Sequence, residues 1–451
     1  MRFALLNILK CPSCGSNLKI ESIYGQEKDE LLHGSLSCEC NQYPVIEGIL
    51  NLASSPPMVF YYLSRKEIEK AASFLLTTDS YIERICDFLG GPLGKLGKNI
   101  ALAKARSTYR RLTQRASFWE ILGKNSSDLY FRHRFSTESL WSVYPFITPL
   151  KKFNQRVLDV GCGAGHASFL LSTYVPCKDL VCLDINFRLL YLAKKFMAKG
   201  AQFIRFDANY PLPFKDNSFS TVFSLDAFHY IRTRSRLAKE MERILNPNGL
   251  LLVLHLHNFL TRNFEAGYPL PPKAWIDLFQ NLDIRALREN DLVEDFLHRD
   301  RLDLTKECSL NELNSANAIS IVGTKDKSLF KVYEGVESSF LEKKSNLIIN
   351  PVYRVQHEAN MIILDKRPIS SKGRHTWDFW EEYSLSKKHL PDRFIIKGDL
   401  SKEFTNRNLN LDLGSASSKI LKQVDTLIKK FVLINVPMNY IYSTRSSQNT
   451  S

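Results

Sequence analysis

The sequence predicts an α/β protein, with a small cysteine-bearing module ahead of the main sheet and an α+β region behind it. Three observations carry that expectation. "QRVLDVGCGAGHASFLL" (155–171) places a short apolar strand, a glycine turn and a helix-like stretch in direct succession. After it, short apolar runs alternate with helical stretches to about residue 325, the pattern of strands joined by crossover helices. Before it, Cys11, Cys14, Cys38 and Cys40 fall as two close pairs within the first 53 residues, a staple for a module too small to form its own core.

The elements follow in order. Residues 1–53 read as β-rich, and "SSPP" (54–57) as a linker, because two prolines oppose both helix and strand. Residues 58–130 have helical apolar spacing, broken at "GGPLGKLG" (90–97), and form a linker or lid. The segment 131–325 holds the glycine loop and the alternating strands. In 326–440, "NMIILDK" reads as a strand and "SKILKQVDTLIKKFVLI" (418–434) as an amphipathic helix with lysines on one side. The polar end 441–451 reads as a disordered tail.

Composition narrows the class. With 451 residues, 44% of them hydrophobic and 24% charged, the chain suits two or three soluble globular domains. No apolar run is long enough to span a membrane, and "MRFALLNILK" is too short for a signal peptide, so a cytoplasmic setting is expected. In a reducing compartment the clustered cysteines are metal ligands rather than disulfides. The formal charge is +14, which favours polyanionic partners. A run without acids, 95–115, holds Lys104, Arg111 and Arg115 on one face if helical. Tyr109 is the sole aromatic inside it, too little for a base-stacking platform.

Two thiol pairs separated by a hairpin-length insert can close a tetrahedral Zn²⁺ site. The second pair is C-x-C, tighter than the usual C-x-x-C, and His33 is the substitute ligand if one of its thiols cannot reach. A redox pair is disfavoured, because no βαβ pattern surrounds Cys11 and Cys14. "LKCPSC" followed by "YPVIEGILNL" resembles the Trm112-like zinc ribbon domains over about residues 5–53. Such ribbons often precede methyltransferase domains, in the same chain or as partner subunits. The resemblance therefore implies a methyltransferase downstream and a partner protein as one use of the ribbon.

The loop supplies the cofactor. Gly161, Gly163 and Gly165 give G-x-G-x-G, and His166 stands where a dinucleotide fingerprint needs glycine. Close backbone approach without a pyrophosphate site suits S-adenosylmethionine, with Asp159 placed for its ammonium group. Asp184 ends the next strand, where it can take both ribose hydroxyls. Asp207 follows for the adenine amine, and Asp226 closes a fourth strand facing the reaction cleft. Cys162 in the loop, Ile185 and Ala208 complete the expected cofactor contacts.

"VLDVGCGAG", "LDIN", "PLPFKDNSFSTVFSLDAFHYI" and "EMERILNPNGLLLVLHLHN" closely resemble the class I S-adenosylmethionine-dependent methyltransferases in order and spacing. The resemblance implies a Rossmann-like seven-stranded sheet, with "IRALRE" (284–289) and "NAISIVGTK" (316–324) as its late strands. Ser220 replaces that family's usual acid at a strand start, away from the cofactor.

Methyl transfer needs positioning above all, and a base only for acceptors that lose a proton. His229, His255 and His257 are the candidate bases, the last two on one strand face. No N-P-P-[YF] segment marks an amide or base-nitrogen acceptor. A small-molecule acceptor for O- or N-methylation is expected first. RNA gripped by the ribbon and the basic run is the alternative, and a non-catalytic scaffold the third reading. The C-terminal region is a second candidate surface for a partner protein.

Overall fold

Val157, Leu158, Asp159 and Val160 are all buried, as a strand covered on both faces requires. The computed structural model describes residues 1–55, 57–77, 99, 103, 106–107, 109–110, 118–122, 128–152, 156–261, 267–335, 346–367, 386–412, 414–437 and 440. Four N-terminal strands, β1 (Lys19–Glu27), β2 (Glu30–Ser37), β3 (Gln42–Ile46) and β4 (Ile49–Asn51), form an antiparallel meander. The central strands are β5 (Val157–Val160), β6 (Leu180–Asp184), β7 (Gln202–Arg205), β8 (Phe219–Leu225) and β9 (Leu245–His257). Then come β10 (Asp283–Arg288), β11 (Arg301–Asp303), β12 (Ala318–Thr324) and β13 (Val332–Glu334).

Among the described residues the main sheet has eleven strands rather than seven, in the order β1-β2-β3-β4-β7-β6-β5-β8-β9-β12-β10. From β4 to β9 neighbours are parallel, and β12 runs antiparallel to both β9 and β10. The extra strands come from the N-terminal module, whose β4 pairs Ile49–Asn51 with Phe203–Arg205 of β7. That pairing covers an edge that would otherwise expose unpaired backbone groups. The cysteine module is therefore an extension of the large sheet, not a bead on a linker.

The second proline of "SSPP" acts differently from expectation. Pro57 opens the helix Pro57–Ser64, where a missing N–H costs nothing because the first-turn donors have no helical partner. The helix expected over 418–434 ends at Lys429. Ser417 caps its start by accepting from the Ile420 N–H. Phe431 then takes a left-handed backbone, and Leu433–Val436 continues as a strand. The apolar run "FVLI" thus belongs to two elements, and helical spacing alone does not separate them.

The C-terminal region forms two further sheets. β14 (Asn346–Ile349), β15 (Tyr353–Glu358), β16 (Met361–Lys366), β17 (Arg393–Lys397), β18 (Phe404–Thr405), β19 (Asn408–Leu409) and β20 (Leu433–Val436) supply them. They are ordered β18-β19-β14-β20 and β15-β16-β17. Their apolar faces join one core with the segment before β5: Trp141 and Phe431 stack with ring centres 4.3 Å apart. The Ser136 hydroxyl donates to Asn350 Oδ1 at 2.8 Å in the same layer. Most of the basic run 95–115, the Trp-containing stretch 374–385 and the tail 441–451 lie outside the described residues.

Candidate functional site

A cavity of about 390 Å³ opens at the carboxyl ends of β5, β6 and β8, where ligands bind in open α/β sheets. Nine of the ten expected cofactor residues line it: Asp159, Gly161, Cys162, Gly163, Asp184, Ile185, Asp207, Ala208 and Asp226. Gly165 does not. It caps the helix His166–Tyr174 with φ +86°, and a Cβ there would stand 2.7 Å from the Ala193 Cβ. Its absence of side chain lets this helix meet the neighbouring one. Gly161, with φ +75°, is equally fixed, because a Cβ would meet the Ala227 Cβ at 2.5 Å.

The loop is stitched to β6. Gly161 N–H and Cys162 N–H both donate to the Leu183 carbonyl, at 2.7 and 3.1 Å. Asp184 Oδ2 accepts from Gly163 N–H and Oδ1 from Asn186 N–H, each at 2.8 Å. A carboxylate offers about four acceptor positions, and this aspartate uses some of them to shape the loop. Ile185 beside it is 50% exposed, an apolar ledge at the mouth. Asp207 folds its own turn, Oδ1 accepting from the Asn209 N–H and side-chain amide at 2.9 and 2.8 Å.

Asp159 is buried and accepts from the Ser168 hydroxyl at 2.6 Å. Burial pushes its carboxyl up to about 7, with Asp184 adding to the rise and the Ser168 hydrogen bond opposing it. A cation at this position gains a partner that the fold alone does not supply. These acceptors, the glycine loop and the cavity volume together fit S-adenosylmethionine: a carboxylate for the ammonium, a carboxylate for the ribose and backbone exposed along the loop.

At the far end stands Asp226, in a left-handed backbone with φ +53°. Its Oδ2 takes an Arg134 ion pair at 3.0 Å and the Tyr130 hydroxyl at 3.2 Å. Burial opposes its charge, but Arg134 and the neighbouring histidines outweigh burial and hold it well below the usual carboxylate range. The three histidines stand behind it rather than in the cavity wall. Nε2 of His257, His229 and His255 lies 3.6, 3.9 and 4.0 Å from Asp226 Oδ1. His255 Nδ1 also contacts Glu289 Oε1 at 2.7 Å. Burial lowers His229 to about 3, against the pull of Asp226.

Sequence reasoning missed Tyr130 and Arg134, which line the cavity from a segment carrying no motif. It also gave His166 no role. His166 lines the cavity, lies parallel to Phe131 with ring centres 5.5 Å apart, and pairs its Nε2 with the Tyr440 hydroxyl at 2.9 Å. No local pattern links residues so distant in the chain. Ser220 donates to the Arg156 carbonyl at a strand start, away from the loop.

The four N-terminal cysteines converge. Cys11 and Cys40 sulfurs are 3.6 Å apart, Cys38 and Cys40 3.5 Å, and all four lie within 4.8 Å of one another. Sulfurs about 2.3 Å from a tetrahedral zinc stand roughly 3.8 Å apart, so the set fits. Burial opposes the Cys11 thiolate. The Tyr43 hydroxyl and the Cys14 and Ser13 N–H groups prevail and bring that thiol to about 6. The crowding of Cys14, Cys38 and Cys11 sulfurs pushes Cys40 to about 12. His33 is not in this group: its Nδ1 accepts from the Glu47 N–H at 3.3 Å.

Comparison with known proteins bears on the site. Residues 158–253 match the family described as "Methyltransferase domain". The demethylmenaquinone methyltransferase of Thermotoga maritima is 31% identical over 138 residues, 30% of this chain and 59% of that protein. The phthiotriol/phenolphthiotriol dimycocerosates methyltransferase 1 of Mycobacterium ulcerans is 37% identical over 111 residues, 24% of this chain and 40% of that protein. The chain thus spans less than two thirds of the length of these relatives. The solved YcgJ protein of Bacillus subtilis is 17% identical, covering 40% of this chain and 98% of that one, with a TM-score of 0.29. Residues 158–253 are accordingly a methyltransferase domain of the S-adenosylmethionine-dependent class.

Proposed function

We propose that the whole chain is an S-adenosylmethionine-dependent methyltransferase acting on a small molecule by O- or N-methylation. The observation that carries the acceptor class is the far end of the cavity. Asp226, ion-paired to Arg134, is presented there beside Tyr130, Phe228 and Ile231, a largely apolar chamber with one carboxylate. That suits a compact acceptor with an apolar body and one donor group. The relatives named for quinone and lipid acceptors point the same way.

The cofactor, when bound, supplies an electrophilic methyl on sulfur. Asp159 and Asp184 hold its ammonium and ribose, and the glycine loop passes along it. Asp207, Ala208 and Ile185 would hold the adenine end, since all three line the cavity. Asp226 accepts the hydrogen bond of the acceptor's O–H or N–H and turns its lone pair toward the methyl, the positioning that in-line displacement needs most. The proton released goes to the imidazole layer behind it, where His255 has Glu289 to support the charge it gains.

Cys11, Cys14, Cys38 and Cys40 hold a structural Zn²⁺ that pins the turns flanking β1 and β2. The RNA alternative draws on the net charge, but two described residues of the basic run already have partners within the chain. The Tyr109 hydroxyl donates to Glu47 at 2.6 Å, and Arg110 pairs with Glu69 at 2.7 Å. Incubating full-length protein and methyl-labelled cofactor with the low-molecular-mass fraction and with the RNA of a cell extract tests the reading. Label in an extractable small molecule supports it. Label confined to RNA overturns it.

A further inference from the structure

The carboxylate and imidazoles at the end of the cavity form a second cluster with the composition of a metal centre. We propose that Asp226 Oδ1, His229 Nε2 and His257 Nε2 bind a divalent first-row transition ion, zinc or iron(II), separate from the four-cysteine site. The ligand atoms of these three residues lie within 4.8 Å of one another. Ligands about 2.1 Å from a tetrahedral ion stand roughly 3.4 Å apart. The Asp226–His257 and Asp226–His229 separations, 3.6 and 3.9 Å, exceed that by a few tenths of an ångström, which small side-chain rotations close.

Four observations point to an ion rather than to ordinary packing. Among the described residues, both ring nitrogens of His229 and Nε2 of His257 are buried without a hydrogen-bond partner. His229 is 0% exposed, so bulk solvent does not reach it, and buried polar atoms left in this state are rare. The donor set, two imidazoles and one carboxylate, is one that zinc and iron(II) favour and that calcium and magnesium do not.

Asp226 and His255 are both non-glycine residues with left-handed backbones, φ +53° and +57°. Such conformations persist where the surroundings enforce them and gather at functional sites. Lastly, the site has a supporting layer. Arg134 and Tyr130 occupy Asp226 Oδ2 and leave Oδ1 turned to the histidines, as outer partners orient ligating carboxylates. The ion has an entry path, since Asp226 itself lines the open cavity. Bound there, it fixes the wall against which the acceptor rests, while His255 stays with Glu289.

The inference does not depend on which acceptor is methylated, and its readout is metal rather than turnover. Full-length protein, purified without chelator and dialysed against zinc, is assayed for metal per chain beside His229→Ala and His257→Gln. Two equivalents in the wild type and one in each variant are expected. Cofactor binding retained by the variants shows that they fold. Cobalt(II) titration of the wild type provides a check that needs no variant. The expected result is one thiolate-ligated ion with sulfur charge-transfer absorption and a second ion with ligand-field bands alone. A single equivalent carrying only the thiolate signature overturns the proposal, as does equal metal content in wild type and variants.

Discussion

Asp184 shows how much one side chain does in this site. It ends β6, holds the Gly163 and Asn186 N–H groups, and faces the cavity. Hydrogen bonds to a charged group contribute about 1.5–3 kcal/mol each. Asp184→Ala should therefore weaken cofactor binding about 100-fold, by losing the ribose partner and loosening the loop together; calorimetry measures it. Asp159 gives a pH prediction. Its carboxyl is raised to about 7 in the protein alone, and it must be charged to hold an ammonium. Cofactor binding should weaken about tenfold between pH ~8 and pH ~6 as the protonated fraction grows. Asp159→Asn should bind weakly at both values, with that slope gone. An unchanged slope in the variant assigns the titration elsewhere. The aspartates were legible in sequence because each ends a strand behind a glycine turn. Arg134 and Tyr130 were not, since nothing in "DLYFRHRF" marks which side chains will turn toward a carboxylate more than 90 residues on.

At the scale of elements, glycines and cysteines do the work that apolar patterning does elsewhere. Gly165 lets the helix His166–Tyr174 approach Ala193 and Met197. Gly165→Ala combines left-handed strain with a clash against the Ala193 Cβ, so it should lower the unfolding midpoint and cofactor affinity together. Thermal melts with and without cofactor test this. The cysteine hairpin predicts its own signature. Cys38→Ser should lower metal content by one equivalent and unfold β1–β3 ahead of the rest, read as early hydrogen exchange confined to 1–46. Retained exchange protection there would assign the hairpin's stability to its packing instead. The pairs and their hairpin insert were visible from spacing alone. The parallel join of β4 to β7 was not, because a three-residue apolar strand carries no information about its neighbour. The same limit explains the helix drawn too long at 418–434: its last apolar residues suit a helix face and a strand equally.

For the whole molecule, the C-terminal region packs against the helix that follows the glycine loop, through His166. Tyr440 is buried among Phe118, Trp119 and Phe135, and its hydroxyl meets His166 and the Phe131 carbonyl. Tyr440→Ala should cost about 3 kcal/mol or more, as truncation of buried aromatics does. Tyr440→Phe should lose only about 1 kcal/mol. Denaturant unfolding separates the two, and equal losses would mean that the hydroxyl rather than the ring holds the region in place. Sequence alone divided this region from the catalytic segment, because the contacts between them join residues hundreds of positions apart. Net charge likewise said little about partners: within the basic run, Arg110 is paired with Glu69 and Tyr109 is bonded to Glu47.

The central claim is that the glycine-loop cavity binds S-adenosylmethionine through Asp184. Calorimetric titration of the full-length protein with the cofactor, repeated on Asp184→Ala, tests it most directly. One site per chain, weakened about 100-fold in the variant, is the predicted result. Equal binding in both proteins, or no binding by the wild type, would contradict it.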